Sequence, residues 1–328
     1  MKTLVTGANG FIGATIVREL VNDGEDVRAL VRKSSDTRNI DDLKVEKVYG
    51  DIRDSGSMKS TLKDCDTLYH VAALFAHWVP DKKLMYDVNV EGTKVTLEAA
   101  LQQKVKKVVY TSSNVTIGSH GKDSLVTEDA EFNGWDLGDH YTLSKYYGEL
   151  EAKKFVEKGL PVVIVNPTMV VGARDYKPTP SGEMIIDIAN KSMPGYIEGG
   201  TNVIDVEDVA RGHILAARKG RIGERYLFGT ENILVKDYFN LIAEVAGVEP
   251  VTFKIPYSLA IVTGYMFEFI SLITKKPPVT TASVVRIGSR YESYDCSKAI
   301  NELGLPQTPI KVSVEKAYKW FKDNGYIK

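Results

Sequence analysis

Residues 1–20 read MKTLVTGANGFIGATIVREL. An apolar run, KTLVTG (2–7), passes directly into a pattern of helical period from Phe11 to Leu20. Between them Gly7, Gly10 and Gly13 form G-x-x-G-x-x-G. A chain that turns sharply out of a strand favours a residue tolerant of positive φ. Without side chains the backbone can come close to a ligand, and the last glycine lets the helix pack tightly on the sheet. The helix N-terminus then presents free N–H groups and the positive end of its dipole, which suit a pyrophosphate. Glycines also mark plain turns; the strand before and the helix after make this one informative.

The pattern continues outward. DVRALV (26–31), VEKVYG (45–50), TLYHVAA (67–73), KKVVYTSS (106–113) and PVVIVNP (161–167) read as further strands, with helical patterns between them, notably Lys82 to Gln103 and Tyr141 to Lys158. Such alternation predicts an α/β fold: a Rossmann-type, doubly wound parallel sheet with helices on both faces and ligands beyond the carboxyl ends of its strands. After Asn166 the rhythm breaks, and residues 168–202 are rich in Pro and Gly. Strand–helix signals return at 203–218 and near 225–229, and the tail from about 232 reads as mostly helical. The expected organisation is a dinucleotide-binding domain at 1–167, with 203–229 returning to it. A smaller, interleaved C-terminal substrate lobe is expected from 168–202 and 230–328.

The 328 residues are 43% apolar and 26% charged, with a formal net charge of −1, so nothing argues for nucleic acid. Two cysteines, Cys65 and Cys296, form no metal or redox spacing, and the five histidines show none either, so no metal is expected. The absence of a basic n-region and apolar h-region at the start makes a cytoplasmic protein the expectation. One stretch stands apart: IPYSLAIVTGYMFEFISLIT (255–274) carries the single charge Glu268 and is flanked by Lys254, Lys275 and Lys276. Its length approaches a membrane span. The favoured reading is a helix packed over the substrate site or against a partner chain; interfacial membrane contact is the other.

Residues 139–150 read DHYTLSKYYGEL, placing Tyr141 and Lys145 one helical turn apart on the same face. An ammonium beside a phenol stabilises phenolate, so the pair can serve as acid and base. A third member is expected at the carboxyl end of the fifth strand, where TSS occupies 111–113. The second strand ends ALVRKSSD. A carboxylate at that point would select a ribose 2′-hydroxyl and an arginine a 2′-phosphate. Arg32 and Lys33 therefore favour NADP(H) over NAD(H).

TGANGFIG, GDIRD, HVAA, NVEGT, YTSSNVTIG, YTLSK and VNPTMVVG occur in this order. As a set they resemble the extended short-chain dehydrogenase/reductases, the NAD-dependent epimerase/dehydratase family. MYDVNVEGT, GLPVVIVNPT, RDYKPTPSGE and DVEDVARGHILA resemble its dihydroflavonol-reductase-like branch, near bacterial proteins called hopanoid-associated sugar epimerases. The resemblance implies that Tyr141 is the acid/base, Lys145 its activator and ribose contact, and Ser113 the catalytic serine. It implies cofactor contacts from Gly7, Asn9, Gly10, Phe11, Ile12, Gly13, Arg32, Lys33, Asp51, Ile52, Ala72, Ala73, Asn89 and Pro167 as well as Tyr141 and Lys145. It also implies a homodimer through helices 82–103 and 141–158.

The fold hosts several reactions. Sugar-nucleotide dehydratases place acids just after the catalytic hydroxyl, and double epimerases a cysteine; here Asn114 and Val115 follow Ser113, which disfavours both. The leading expectation is NADPH-dependent reduction of a ketone or aldehyde with Tyr141 as proton donor. The substrate wall would draw on Leu74, Phe75, Trp78, Met169, Met266 and Phe267. The alternative is a C4-type sugar-nucleotide epimerase that keeps NAD, with Arg174 and Lys177 as candidates for the substrate diphosphate. A third reading, a non-catalytic NADP-binding sensor, sits badly with the Tyr–Lys pair. His140 is read as structural, and His77 and Trp78 as substrate contacts at the site mouth.

Overall fold

The computed structural model describes residues 2–122 and 124–328. Its first part runs β1 (Lys2–Thr6), α1 (Phe11–Asn22), β2 (Asp26–Val31), β3 (Glu46–Tyr49), α2 (Ser55–Leu62), β4 (Thr67–His70), α3 (Lys82–Tyr86), α4 (Gly92–Gln102), β5 (Lys107–Thr111), α5 (His140–Glu157) and β6 (Val162–Pro167). It continues through β7 (Met169–Val171), α6 (Pro180–Ala189), β8 (Gly200–Asp205), α7 (Val206–Lys219), β9 (Arg225–Phe228), β10 (Glu231–Leu234), α8 (Val235–Ala246), α9 (Tyr257–Thr274), α10 (Ala282–Gly288) and α11 (Ile310–Asp323).

Seven parallel strands form the large sheet in the order β3-β2-β1-β4-β5-β6-β9. Both faces are covered, so its strands are near-continuous apolar runs. Alternate residues serve opposite cores: Val5 joins the core beneath α1 and α7, and Leu4 the one beneath α2, α4 and α5. Strand order reverses between β1 and β4, and a ligand crevice opens at such a switch point. β10, β8 and β7 form a second sheet, packed with α6, α8 and α11 around Ile185, Tyr238 and Phe321.

The strands fall where the apolar runs put them, with three refinements. The expected helix 82–103 contains a π turn at Asp87–Glu91 between α3 and α4. Of the stretch 203–229, α7 packs on α1 and β9 joins the large sheet, whereas β8 pairs with β7 and β10. The tail is not helical throughout: residues 291–296 are non-helical, bridging Tyr291 to Gly200 and Tyr294 to Val126.

Candidate active site

The glycine turn is a steric necessity. Gly7 holds a φ of +65°, and a Cβ there would lie 2.8 Å from the Ala72 backbone. A Cβ on Gly13 would lie 2.1 Å from the Gly7 carbonyl oxygen. The turn closes through the Gly10 N–H donating to the Gly7 carbonyl at 3.0 Å. Gly10 then leads α1 with no side chain capping its first N–H groups, which leaves that end open to an anion. Asn9 donates to the Asp36 carbonyl at 2.9 Å and braces the loop after β2. Phe11 and Ile12, in the first turn of α1, are half-buried.

Arg32 and Lys33 follow β2, both exposed, and neither makes an ion pair among the described residues. Asp36 is engaged by Arg38 at 2.6 Å. Asp51 is gripped by Arg53 at 2.9 and 2.7 Å; this holds its carboxyl below the usual range against partial burial, with the Arg32 charge assisting. Ile52 packs under Gly92 at the start of α4, where a Cβ would come within 2.7 Å of it. Ala72 and Ala73 follow β4; the Ala72 N–H donates to Thr6 Oγ1 at 3.2 Å. Asn89, inside the π turn, accepts from the Leu74 N–H (2.7 Å) and donates to the Leu74 carbonyl (3.0 Å) and Ser144 Oγ (2.8 Å). It thereby fixes the loop after β4. Pro167 is buried at the end of β6. The glycine turn and this β4 loop thus meet at Gly7 and Ala72, over the switch point.

Beside them stand the three chemical candidates. Asp139 caps α5, accepting from the Thr142 N–H (2.8 Å) and Oγ1 (2.7 Å), and so sets Tyr141 in the first turn. Lys145 is buried one turn on, and its Nζ donates to the Thr111 carbonyl at 2.7 Å. Burial pushes its pKa down to about 8, Glu149 opposing. Burial pushes the Tyr141 phenol well up, the Ser113 hydroxyl opposing. The ammonium is turned to Thr111 and to the face of Tyr110, 5.2 Å from its centroid. The two serines divide. Ser112 Oγ donates to Glu149 at 2.7 Å, whereas Ser113 Oγ donates to Asn114 Oδ1 at 3.3 Å, accepts from the Val115 N–H at 3.4 Å and opposes the upward push on the Tyr141 phenol. Phe75 lies against the Tyr141 ring at 4.7 Å between centroids. His77 is 6.0 Å from that ring and bonds Asp139 at 3.3 Å.

Four further residues escaped sequence reading. Glu149 is a buried carboxylate that receives Ser112, Thr116 (2.6 Å) and Asn166 (3.0 Å), and pairs with Lys153 (2.8 Å) and Arg225 (3.3 Å). Thr116 and Asn166 in turn donate to the Ser113 carbonyl at 2.8 and 3.0 Å. Glu292 reaches in from the non-helical stretch of the tail and accepts from Asn114 Nδ2 at 3.1 Å. Burial pushes its carboxyl up to about 7 against the opposing pull of Arg290, Asn114 and His77. No periodicity announced it: in RYESY (290–294) the two tyrosines stand three apart with Glu292 and Ser293 between them.

Of the residues expected along the substrate wall, Met266 is half-exposed on α9, and Met169 is partly buried against the core of the second sheet. Arg174 and Tyr176 lean on the loop after β2: the Arg174 carbonyl receives Asn39, and Arg38 lies over the Tyr176 ring. His140 bonds the Tyr86 hydroxyl at 3.0 Å. Among the described residues no group of three His, Cys, Asp or Glu could hold a metal ion.

A doubly wound sheet, a glycine turn at its switch point and a Ser–Tyr–Lys set beside it define a nicotinamide-dinucleotide enzyme. The chain belongs to the NAD dependent epimerase/dehydratase family, whose model matches residues 3–229. It is 37% identical to "Putative dihydroflavonol 4-reductase" of Synechocystis sp., over 99% of this chain and 95% of that one. It is 32% identical to sterol demethylase protein B of Methylococcus capsulatus over the whole of both. The crystal structure of gox2253 superposes with a TM-score of 0.89 at 38% identity, covering 99% of each chain.

Proposed function

We propose that this protein is an NADPH-dependent oxidoreductase that reduces a ketone or aldehyde. The observation that carries the reading is the division of labour at the end of β5. Ser112 is tied to Glu149, while Ser113 is free of that carboxylate: its hydroxyl makes only a 3.3 Å bond to Asn114 Oδ1 and a 3.4 Å bond from the Val115 N–H, and it acts on the Tyr141 phenol. A substrate oxygen placed there would accept from Ser113 and take its proton from Tyr141, a phenol that burial keeps protonated. Lys145, turned to Thr111, is placed to hold a ribose hydroxyl and to restore the tyrosine proton. Phe75 supplies an apolar wall against the reacting centre. Gly7, Asn9, Gly10, Phe11, Ile12, Gly13, Asp51, Ile52, Ala72, Ala73, Asn89 and Pro167 would hold the dinucleotide, whose nicotinamide supplies hydride when bound. The open first turn of α1 and the absence of side chains at Gly7 and Gly13 fit that group.

The preference for NADPH is supported by Arg32 and Lys33, exposed and unpaired among the described residues, while Asp36 is occupied by Arg38. We place the protein in the cytoplasm, as a homodimer through 82–103 and 141–158. The test is NADPH oxidation, with NADH alongside, on aldehydes, aromatic and aliphatic ketones and steroid-like ketones. A second arm offers sugar nucleotides without added cofactor. Ketone-dependent NADPH loss that disappears in Tyr141→Phe supports the reading. An isomerised sugar nucleotide without NADPH loss replaces it with the epimerase.

A further inference from the structure

Helix α9 is inside out for an aqueous surface. Its buried positions are the small residues Ala260, Gly264 and Ser271. Its exposed positions include Leu259, Val262, Phe269, Ile270, Leu272 and Ile273, the last two 68% and 69% exposed. A surface helix ordinarily turns its apolar stripe inward and its polar face out. Exposed apolar patches of this extent mark interaction sites. The inward face is built for close packing: a Cβ on Gly264 would lie 2.7 Å from the Ala282 N–H nitrogen of α10. The single carboxylate, Glu268, is turned the same way and accepts from that N–H at 2.8 Å. Within this chain most of the large side chains of α9 are therefore left exposed.

The charge around the face has one free sign. Lys275 and Lys276 at the C-terminal end are exposed and make no ion pair among the described residues. Lys254 at the other end is held by Glu198. An apolar face edged by free cations, with no outward carboxylate, complements anionic lipid headgroups over hydrocarbon. A second copy in a two-fold contact would bring the same cations and no outward carboxylate of α9 to meet them.

The ends of α9 decide between crossing a bilayer and lying on one. The chain before it is tied to Tyr196, whose N–H donates to the Phe253 carbonyl (3.0 Å) and whose carbonyl accepts from the Ile255 N–H (2.8 Å). The chain after it folds straight back, so that α10 begins against the middle of α9. A crossing would carry these extended backbone groups into hydrocarbon, where their desolvation is prohibitive.

We infer that α9 docks in the plane of a membrane containing anionic phospholipid, with Phe269, Leu272 and Ile273 in the acyl boundary and Lys275 and Lys276 among the headgroups. The docked hairpin adjoins the candidate active site. Arg286 of α10 donates to the Leu137 carbonyl at 3.3 Å, just before the Asp139 cap of α5, and the chain beyond α10 delivers Glu292. Docking would set the site mouth at the bilayer surface, whatever the reaction.

The test is flotation of the intact protein with vesicles of phosphatidylcholine alone and of phosphatidylcholine mixed with phosphatidylglycerol. Wild type should float with the mixed vesicles. Phe269→Glu combined with Leu272→Glu should cut that binding about tenfold or more. Lys275→Glu combined with Lys276→Glu should abolish the preference for phosphatidylglycerol. All four positions are exposed, so the variants should keep the wild-type melting temperature and cofactor affinity. Wild type that stays at the bottom, or variants that float as well as wild type, would overturn the inference. So would a vesicle-free dimer that the Phe269 and Leu272 variant converts to monomer by light scattering, since the face would then belong to a second copy.

Discussion

Tyr141 and Glu292 show how differently two buried acids can be set a few side chains apart. The phenol is held protonated by burial, and its partner is a hydroxyl, so removing the phenolic oxygen should strike the chemistry alone. Tyr141→Phe is expected to lower turnover about 10²–10⁴-fold while a fluorescence titration gives unchanged NADPH affinity. Loss of cofactor binding would make Tyr141 a structural residue instead. Glu292 is lifted from an ordinary 4.5 to about 7, chiefly by burial, so the native state binds its proton more tightly than the unfolded chain. The stabilisation is whole below about pH 4.5 and is lost as pH rises through about 7. Relative to Glu292→Gln, wild type should lose melting temperature across that window; a constant difference would mean that the carboxyl titrates normally. Tyr141 and Lys145 were legible because five consecutive residues of one helix hold the pattern. Glu292 was not, because Asn114 lies 178 residues away and only the folded chain joins them.

At the scale of elements, α5 does more than carry the Tyr–Lys pair. Its Glu149 is a buried charge that five side chains share, two of which also hold the Ser113 backbone. Truncation would strand those partners, the two cations included. Glu149→Ala should cost about 3–5 kcal/mol in denaturant unfolding and lower turnover besides; Glu149→Gln should recover part of both. An alanine variant as stable as wild type would show that water replaces the carboxylate. In the first turn of α1, Gly13→Ala forces a Cβ towards the Gly7 carbonyl. It should weaken dinucleotide binding, measured calorimetrically, and cost about 1–3 kcal/mol of stability. The glycine spacing announced this turn, and apolar runs announced the strands. Periodicity could not announce the π turn that sets Asn89, since a π turn differs from α only in where its hydrogen bonds close. Nor could it tell which side of α9 would be covered, since the segment is apolar nearly all round.

The whole molecule is a pair of sheets joined several times over. Thr168 alone separates β6 of the large sheet from β7 of the small one; its N–H and Oγ1 both donate to the Phe228 carbonyl of β9, and Oγ1 also to Asn202 of β8. β8 runs directly into α7, which packs on α1, and only Gly229 and Thr230 part β9 from β10. Seams this short leave neither sheet free to open alone. Thermal unfolding should therefore be a single transition, with far-UV circular dichroism and tryptophan fluorescence coinciding. Trp320 on α11 reports from beside the small sheet, so a separate early fluorescence step would show the lobes melting independently. Length and composition promised a large core, but the count and tightness of the seams arise from pairings between distant strands and could not be read from the chain. These seams bear on how such a molecule could be retargeted. The small lobe cannot be lifted out as a cassette and exchanged for a relative's, because every seam would have to match at once. New specificity would have to be grafted loop by loop, at 72–80 and 289–296, onto a frame left untouched.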